Sequence, residues 1–298
     1  LLPLAWDVAS TAIAVLMAVL QWMAALPGAT VALARAPLWM GVLAVLGGVA
    51  LVLPWSWGLR LWGATWMLPL LLWQAQRVPQ GQFELLAPDI GQGNAVLVRT
   101  AGHALLYDAG PRYSLESDAG HRVIVPLLQA LQVRLDTLVL SHRDTDHVGG
   151  AAAVLAQQPQ ANWIGSLAND SNAILPRPGV RCEAGMHWQW DGVRFEVLHP
   201  LAVDYQQARK PNALSCVLRI TAGSQVALLV GDIEEPQEAA LLARERDLRA
   251  FVLLVPHHGS KTSSSAAFLD AVAPHVALVQ AGYRNRFGHP AAAVVQRY

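Results

Sequence analysis

The chain has 298 residues, a formal net charge of zero and 54% hydrophobic residues. This balance gives no support for a protein that grips nucleic acid through its own basic surface, because such proteins are usually strongly basic. The average hides two unlike parts, since residues 1–77 contain only the charged residues Asp7, Arg35, Arg60 and Arg77. Composition therefore predicts a membrane-embedded N-terminal part followed by a globular part.

Three uncharged apolar runs lie in the N-terminal part. Residues 8–26 approach the roughly 20 apolar residues that a membrane-spanning helix needs, and a second run lies between Arg35 and Arg60. The third run, between Arg60 and Arg77, is shorter and would span only marginally. Tryptophans lie near the ends of these runs, as interfacial anchors do. We therefore expect transmembrane helices, and the alternative is a buried helical bundle. Each connection has one arginine, so the distribution of positive charge does not give the orientation of the helices in the membrane.

A polar linker over residues 78–82 separates this part from a globular domain over 83–298. Short apolar runs that come in groups, with helical patterns between the groups, predict stacked sheets covered by helices on the outside. Both ends of the chain look cut, so we expect a fragment of a longer protein with a truncated C-terminus. Cys182 and Cys216 are far apart and form no Cys-x-x-Cys pair, which favours two buried free thiols over a disulfide.

The strongest chemical signal follows the apolar run 137–140 and reads His142-Arg143-Asp144-Thr145-Asp146-His147. Two imidazoles and two carboxylates so close in sequence are hard to satisfy by burial, and a pair of divalent cations would satisfy them. A surface turn of mixed charges is the alternative. The run resembles the His-x-His-x-Asp-His signature of the metallo-β-lactamase fold, a four-layer αββα sandwich, with Asp144 in place of the second histidine. The resemblance implies one metal on His142 and Asp144 and a second on Asp146 and His147, with Asp146 also catalytic.

Two further aspartates end predicted strands, Asp108 before Ala109-Gly110 and Asp232 after Gly231. In the metallo-β-lactamase fold, an Asp in the first position orients ligands from beneath the metals, and one in the second position bridges them. Each could also be an ordinary turn, in which Asp and Gly are common.

The run 256–264 supplies the next candidates. One of His257 and His258 should complete the second metal site, and the other should donate to a phosphate or leaving oxygen. Sequence alone leaves this choice open, and the working assignment is His258 as ligand and His257 as catalytic group. Lys261, Thr262 and Ser263 could bind a substrate phosphate, with helix capping as their alternative role.

His289, in Phe287-Gly288-His289-Pro290, follows a predicted strand on the expected face and is a candidate to steady the phosphate. The fold usually supplies another histidine where this chain has Asn212, so Asn212, water or His199 could complete the first metal. That site is then rich in oxygen, which favours Mn²⁺ or Mg²⁺ over Zn²⁺. We expect two divalent cations, Mn²⁺ favoured, with Zn²⁺ or Mg²⁺ possible.

Several motifs together resemble the C-terminal domain of ComEC-family DNA-uptake proteins over residues 83–298. They are the runs Asp89-Ile90-Gly91-Gln92-Gly93-Asn94-Ala95, 141–150, 231–232, 256–264 and 288–290. Asp89 is the weaker site candidate among them. The resemblance implies a multi-pass inner-membrane protein whose globular domain lies on the outer, periplasmic side, next to the end of the competence channel domain.

The resemblance also implies a metal-dependent DNA phosphodiesterase that degrades one strand while the other enters a channel. Its partners would be DNA, the membrane and other proteins of the uptake machinery. One alternative keeps the fold and changes the substrate to a lactone, a thioester or a phosphorylcholine-type ester. Another is a non-catalytic module that guides DNA into a transmembrane pore.

Overall fold

The computed structural model describes residues 2–26, 29, 33–168, 175–206, 210–245 and 247–298. The chain divides into two compact units, Leu1–Ala75 and Gln76–Tyr298. The first unit contains α1 (Leu2–Ala25), α2 (Leu38–Val52) and α3 (Trp57–Leu71). Each unit is described by itself below.

Among the described helices, α1 alone is long and apolar enough to cross a membrane, over 22 residues with a mean hydropathy of 1.9. The second predicted run forms a helix of only 15 residues. It ends shortly before Pro54, which cannot continue a helix. α2 and α3 approach closely at two glycines, where a Cβ on Gly47 would lie 2.3 Å from the carbonyl oxygen of Gly63.

The second unit contains strands and helices in alternating groups. In chain order they are β1 (Glu84–Leu86), β2 (Val96–Arg99), β3 (Ala104–Tyr107), β4 (Arg112–Ser114), β5 (Ser117–Asp118), α4 (Val125–Ala130), β6 (Thr137–Leu140), α5 (Thr145–Val148), α6 (Ala151–Gln157), β7 (Asn162–Gly165), β8 (Val180–Arg181), β9 (His187–Trp190), β10 (Val193–His199), β11 (Val217–Ala222), β12 (Gln225–Leu229), α7 (Glu235–Arg244), β13 (Val252–Leu254), α8 (Ala266–Val272), β14 (Val276–Leu278) and α9 (Ala292–Arg297). A short π-helix precedes α4, and 3₁₀ turns cover Ala202–Gln206, Pro211–Leu214 and Pro256–Gly259.

Two six-stranded sheets form the centre of this unit, in the orders β1-β2-β3-β6-β7-β8 and β14-β13-β12-β11-β10-β9. The first is antiparallel through β3 and parallel from β3 to β8. The second is antiparallel from β9 to β12 and parallel from β12 to β14. β4 and β5 pair separately.

Side-chain alternation along the strands builds three apolar layers. On β2, Val96 and Val98 pack toward the second sheet, with Phe195 in the same cluster, while Leu97 faces the helices outside the first sheet. On the far side of the second sheet, Leu228 packs with Phe268 of α8. Helices therefore cover both outer faces, which confirms the predicted four-layer αββα arrangement.

The two cysteines lie buried in the layer between the sheets. Cys182 and Cys216 are joined as a disulfide with their Cα atoms 6.2 Å apart. The prediction of two free thiols is wrong. The two cysteines are 34 positions apart in sequence, and only the packing of the two sheets brings them together.

The parallel strands bring the candidate residues to one place. β3 is followed directly by Asp108, β6 by Ser141 and His142, and β13 leads into His257 and His258. β3 and β6 are parallel, as are β12, β13 and β14, so their carboxyl ends meet at common edges.

Candidate metal centre

The motif after β6 turns sharply from strand to helix. His142 is fully buried, and its Nε2 lies 3.5 Å from Asp144 Oδ2. α5 then begins with Asp144 as its N-cap residue, which places Asp146 and His147 in its single turn. Gly93 allows this turn to pack closely, because a Cβ there would lie 2.2 Å from the Asp146 carbonyl oxygen. The neighbouring His142 ring holds the pKa of Asp144 below its usual value.

Asp108 anchors His147 from below. Its Oδ2 lies 2.8 Å from His147 Nδ1, and its two oxygens also accept from the backbone N–H and the hydroxyl of Ser141. The ring is therefore protonated at Nδ1 and presents Nε2 to the other side. Burial lowers the pKa of His147, but the charges of Asp232 and Asp108 raise it by more, so its pKa lies well above the usual value.

Asp232 lies at the centre of the histidines. Its Oδ1 is 3.2 Å from His147 Nε2, and its Oδ2 is 3.6 Å from His258 Nε2. Burial raises the pKa of Asp232, but the charges of His147 and His258 outweigh burial and hold the pKa far below the usual value. Gly231 is required beside it, since its φ is +56° and a Cβ would lie 2.8 Å from the Cβ of Ser141.

His258 is held as firmly as His147. Its side chain is 2% exposed, and its Nδ1 lies 2.8 Å from the Gln280 carbonyl oxygen, to which it donates. Nε2 then faces Asp146 Oδ2 at 3.4 Å. Burial raises the pKa of Asp146, but the neighbouring His258 and His147 rings lower it by more.

His257 lies beside this cluster and is more exposed than His258. Its Nε2 is 3.7 Å from Asp232 Oδ2, and its Nδ1 is 3.3 Å from the Thr262 hydroxyl. Burial lowers the pKa of His257. The ring centroid of His289 lies 5.8 Å from that of His257, and burial likewise lowers the pKa of His289.

Two sets of ligand atoms converge within 4.8 Å of one another, and His147 belongs to both. The sets are His142, His147 and Asp232, and Asp146, His147 and His258. The Nε2 atoms of the three histidines and Oδ1 of Asp232 are buried with no hydrogen-bond partner. Buried polar atoms of this kind are costly unless something binds them, and imidazole with carboxylate is a donor set for divalent cations. The residues therefore fit a metal centre, with Asp144 at its more exposed edge.

Four other candidate residues lie elsewhere in the described structure. His199 Nε2 is 3.0 Å from the Ala213 carbonyl oxygen, and Asn212 lies in the 3₁₀ turn before β11. Asp89 is exposed, and its Oδ1 accepts from the N–H of Gly91 in a local turn. Ser263 is 1% exposed and donates its hydroxyl to the Ile233 carbonyl, and its contact with a substrate phosphate stays a prediction. None of these four belongs to either ligand set.

Two other residues that were predicted to bind a substrate phosphate lie at the surface beside His257. Lys261 is exposed, and Thr262 donates its hydroxyl to Glu234 Oε1 at 3.2 Å. Glu234 also lies 3.6 Å from His257 Nδ1. The three residues line the side of the centre where His257 is found.

Sequence reasoning missed the residues that support the ligands. Ser215 accepts from the backbone N–H of Asp232 at 3.1 Å, and its Oγ lies 3.4 Å from His142 Nδ1. It lies three residues after Asn212, in the same segment. Gln280 could not be recognised from sequence, because it supports His258 through its backbone carbonyl, which contacts His258 only in the folded chain.

These features define a metal-dependent hydrolase of the metallo-β-lactamase fold. The family described as "Metallo-beta-lactamase superfamily" matches residues 88–283. Competence protein ComA of Neisseria gonorrhoeae is 39% identical over 89% of this chain and 37% of its own length. Recombination protein 2 of Haemophilus influenzae is 36% identical over 76% of this chain and 28% of its own length.

ComE operon protein 3 of Bacillus subtilis is 29% identical over 73% of this chain and 30% of its own length. The chain thus spans between 28% and 37% of the length of these curated relatives. It belongs to the metallo-β-lactamase superfamily, in the branch of the ComEC-type competence proteins. The family resemblance drawn from the motifs is confirmed.

Proposed function

We propose that the chain is a membrane-anchored, metal-dependent DNA phosphodiesterase of a DNA-uptake machinery, which degrades one strand while the other is imported. The observation that carries the proposal is the position of Asp232. Its carboxylate lies within 4.0 Å of ring nitrogens of His142, His147, His257 and His258. Similarity to proteins named for competence and recombination supports DNA as the substrate.

The ligand assignment is the one that the family resemblance implies, and the convergence of Asp146, His147 and His258 supports its second half. His142 and Asp144 would hold one divalent cation, Asp146, His147 and His258 the second, and Asp232 both. Bound there, the pair would acidify the attacking water and stabilise charge on the phosphoryl oxygens. Three carboxylates make the site oxygen-rich, which favours Mn²⁺, with Mg²⁺ or Zn²⁺ as alternatives.

His257 is placed to move a proton. Thr262 donates its single hydroxyl proton to Glu234, so it can only accept from His257 Nδ1. The proton of the neutral ring therefore lies on Nδ1, and Nε2 faces Asp232 with a free lone pair. Burial lowers the pKa of His257, which keeps the ring neutral and able to accept a proton at Nε2 near neutral pH.

His289 and Lys261 would steady the scissile phosphate. His289 Nδ1 is buried with no hydrogen-bond partner, and its ring lies beside His257. Lys261 is exposed next to Thr262 and would add a positive charge on the same side. Both groups would act by binding substrate oxygens.

Membrane attachment and orientation form part of the same proposal. α1 supplies a helix of sufficient length and apolarity to anchor the chain in the inner membrane, and α2 and α3 would be further parts of a multi-pass channel domain. The Cys182–Cys216 disulfide supports an oxidising, periplasmic location for the globular unit, because reducing compartments keep thiols free.

The test uses the full chain purified in detergent, with Mn²⁺ and a duplex DNA labelled on each strand in turn. The wild type should degrade the DNA, and Asp146→Ala should abolish degradation because a ligand is lost. Asp270→Ala, an exposed carboxylate of α8, is the matched control and should retain wild-type activity. Equal activity in Asp146→Ala and the wild type would reject the assignment.

Two alternatives give different results in the same preparation. A hydrolase of lactones or thioesters would cleave those esters with Mn²⁺ and leave DNA intact. A module that only guides DNA would bind DNA but need not hold metal in stoichiometric amounts. Metal content measured by mass spectrometry therefore separates the guiding module from both hydrolases.

A further inference from the structure

An exposed loop of alternating aromatic and basic residues follows β14 beside the metal centre. It runs from residue 283 to residue 289 and reads Tyr283-Arg284-Asn285-Arg286-Phe287-Gly288-His289, here called the aromatic loop. Tyr283 is 87% exposed and Phe287 52% exposed. Large aromatic rings this open to water bury little on folding, so the apolar core does not explain them.

An arginine guanidinium group lies over each exposed ring. The Arg284 guanidinium carbon lies 5.2 Å from the Tyr283 ring centroid, and that of Arg286 lies 4.8 Å from the Phe287 centroid. Phe287 also stacks on His289, with centroids 5.7 Å apart and planes 13° apart. The aromatic rings and guanidinium groups thus form a row of planar, partly cationic groups. The row ends at the His289 ring, which lies next to His257.

Both ends of the aromatic loop are tied to the turn that holds His258. Just before the loop, the Gln280 carbonyl accepts from His258 Nδ1 at 2.8 Å. Just after it, the backbone N–H of Ala291 donates to the Gly259 carbonyl at 2.9 Å. The loop therefore has a fixed position relative to the metal ligands.

Asn285 fixes the shape of the loop from inside. Its amide nitrogen donates to the carbonyls of Gly282 and His289, and its amide oxygen accepts from the N–H groups of Phe287 and His289. One side chain thus forms hydrogen bonds with four backbone groups. The loop is therefore already ordered, and a ligand that binds it pays little conformational entropy.

We propose that the aromatic loop stacks unpaired nucleotide bases next to the scissile phosphate, so that the centre acts on single-stranded or frayed nucleic acid. This inference rests on the proposed phosphodiesterase function and names its substrate class. Base stacking on aromatic rings and guanidinium planes recognises single strands whatever their sequence. In the described structure neither Arg284 nor Arg286 forms an ion pair with a carboxylate, which leaves both charges for a phosphate backbone. A lipid headgroup region is the rival ligand, but the direct stacking of Phe287 on His289 favours a ligand that also reaches the metal centre.

Binding is measured on the full chain in detergent with EDTA present, by fluorescence anisotropy of a labelled single-stranded oligonucleotide. A second oligonucleotide has the same backbone with abasic sites throughout. Tyr283→Ala and Phe287→Ala should each weaken binding of the normal strand by roughly five- to a hundred-fold, and should leave binding of the abasic strand unchanged. Equal weakening on both strands, or none on either, would overturn the inference.

Phe251→Ala is the matched control. Phe251 is 42% exposed and stacks on His275 with centroids 5.0 Å apart, but it precedes β13 and so lies at the opposite end of that strand from His257. It should bind both strands like the wild type. Because EDTA prevents turnover, a failure of the wild type to cleave DNA with Mn²⁺ would count against the phosphodiesterase and not against the loop.

Hydrogen exchange separates the nucleic acid from the membrane as ligand. Peptides that cover residues 281–291 should become protected when the single strand is added to the chain in lipid nanodiscs. Protection by the nanodisc alone, with no further protection by DNA, would show a membrane-contacting loop and reject the proposal.

Discussion

Asp108 orients His147 through a hydrogen bond of 2.8 Å between Oδ2 and Nδ1, so that His147 Nε2 points at Asp232 from 3.2 Å. Asp108 is itself fully buried and has a φ of +59°, a conformation that favours Gly, Asn and Asp. The residue therefore acts on the metal centre through the groups that it holds, the His147 ring and Ser141.

Asp108→Asn should weaken metal binding by about 10- to 100-fold, because the amide keeps the backbone conformation but loses the charge that fixes the ring. Titration calorimetry with Mn²⁺ measures the change. Asp118→Asn is the control, since Asp118 also accepts from a histidine, His121 at 2.8 Å, outside the metal centre. Unchanged affinity in Asp108→Asn would show that Asp108 does not position a ligand.

The two neighbouring histidines should respond differently to Asn, which tolerates their φ values of +52° and +55°. His258→Asn should lose bound metal, because its Nε2 belongs to a ligand set. His257→Asn should keep its metal and lose about 10²- to 10⁴-fold in turnover, as expected for a proton-transfer group. Metal content after gel filtration, read beside the rate, checks both. Equal metal loss in the two variants would contradict the assignment.

Metal affinity should fall as the pH is lowered. Burial lowers the pKa of His147, but Asp232 and Asp108 raise it by more, and a cation must displace the proton. Protonated His147 stabilises the metal-free protein fully below the unfolded pKa of about 6.5, and this contribution is lost as the pH rises through the folded pKa. The gap between Tm with Mn²⁺ and Tm with EDTA should therefore widen as the pH rises above about 6.5.

Differential scanning fluorimetry over that range measures the gap. Asp108→Asn should show a smaller dependence on pH, because one of the two charges that raise the pKa of His147 is gone. A gap that stays constant with pH in the wild type would contradict the expectation.

Glu238 should contribute to stability rather than to chemistry. It is fully buried on α7, and its carboxylate accepts from the backbone N–H groups of Ser264 at 2.5 Å and Ser265 at 2.8 Å. Glu238→Ala leaves both donors unpaired, that of Ser264 fully buried, which should cost about 2 to 3 kcal/mol. Glu235→Ala, an exposed acid on the same helix, should leave Tm nearly unchanged. Thermal unfolding followed by circular dichroism compares the two.

Local patterns were enough to predict most of the central strands and the main ligand motif. His142, Asp146 and His147 could be found because strand, turn and helix place them within six residues. β9 has no continuous apolar run, since its His-Trp-Gln-Trp sequence lies at a sheet edge, where Trp188 packs on Phe195 across the strand pair.

What could not be predicted depends on contacts between distant segments. The disulfide and the supports from Ser215 and Gln280 exist only because the sheets face each other. Ser263 has a hydroxyl of the kind that binds phosphate, but this hydroxyl donates a hydrogen bond to the Ile233 carbonyl. Sequence identifies the kinds of donor available, and the fold decides which of them remain free.

The ligands divide between the two sheets, with His142, Asp146 and His147 following β6 and Asp232 and His258 following β12 and β13. Neither half of the domain holds a complete set on its own. In the proposed phosphodiesterase, hydrolysis would therefore begin only once both halves have been made and packed together.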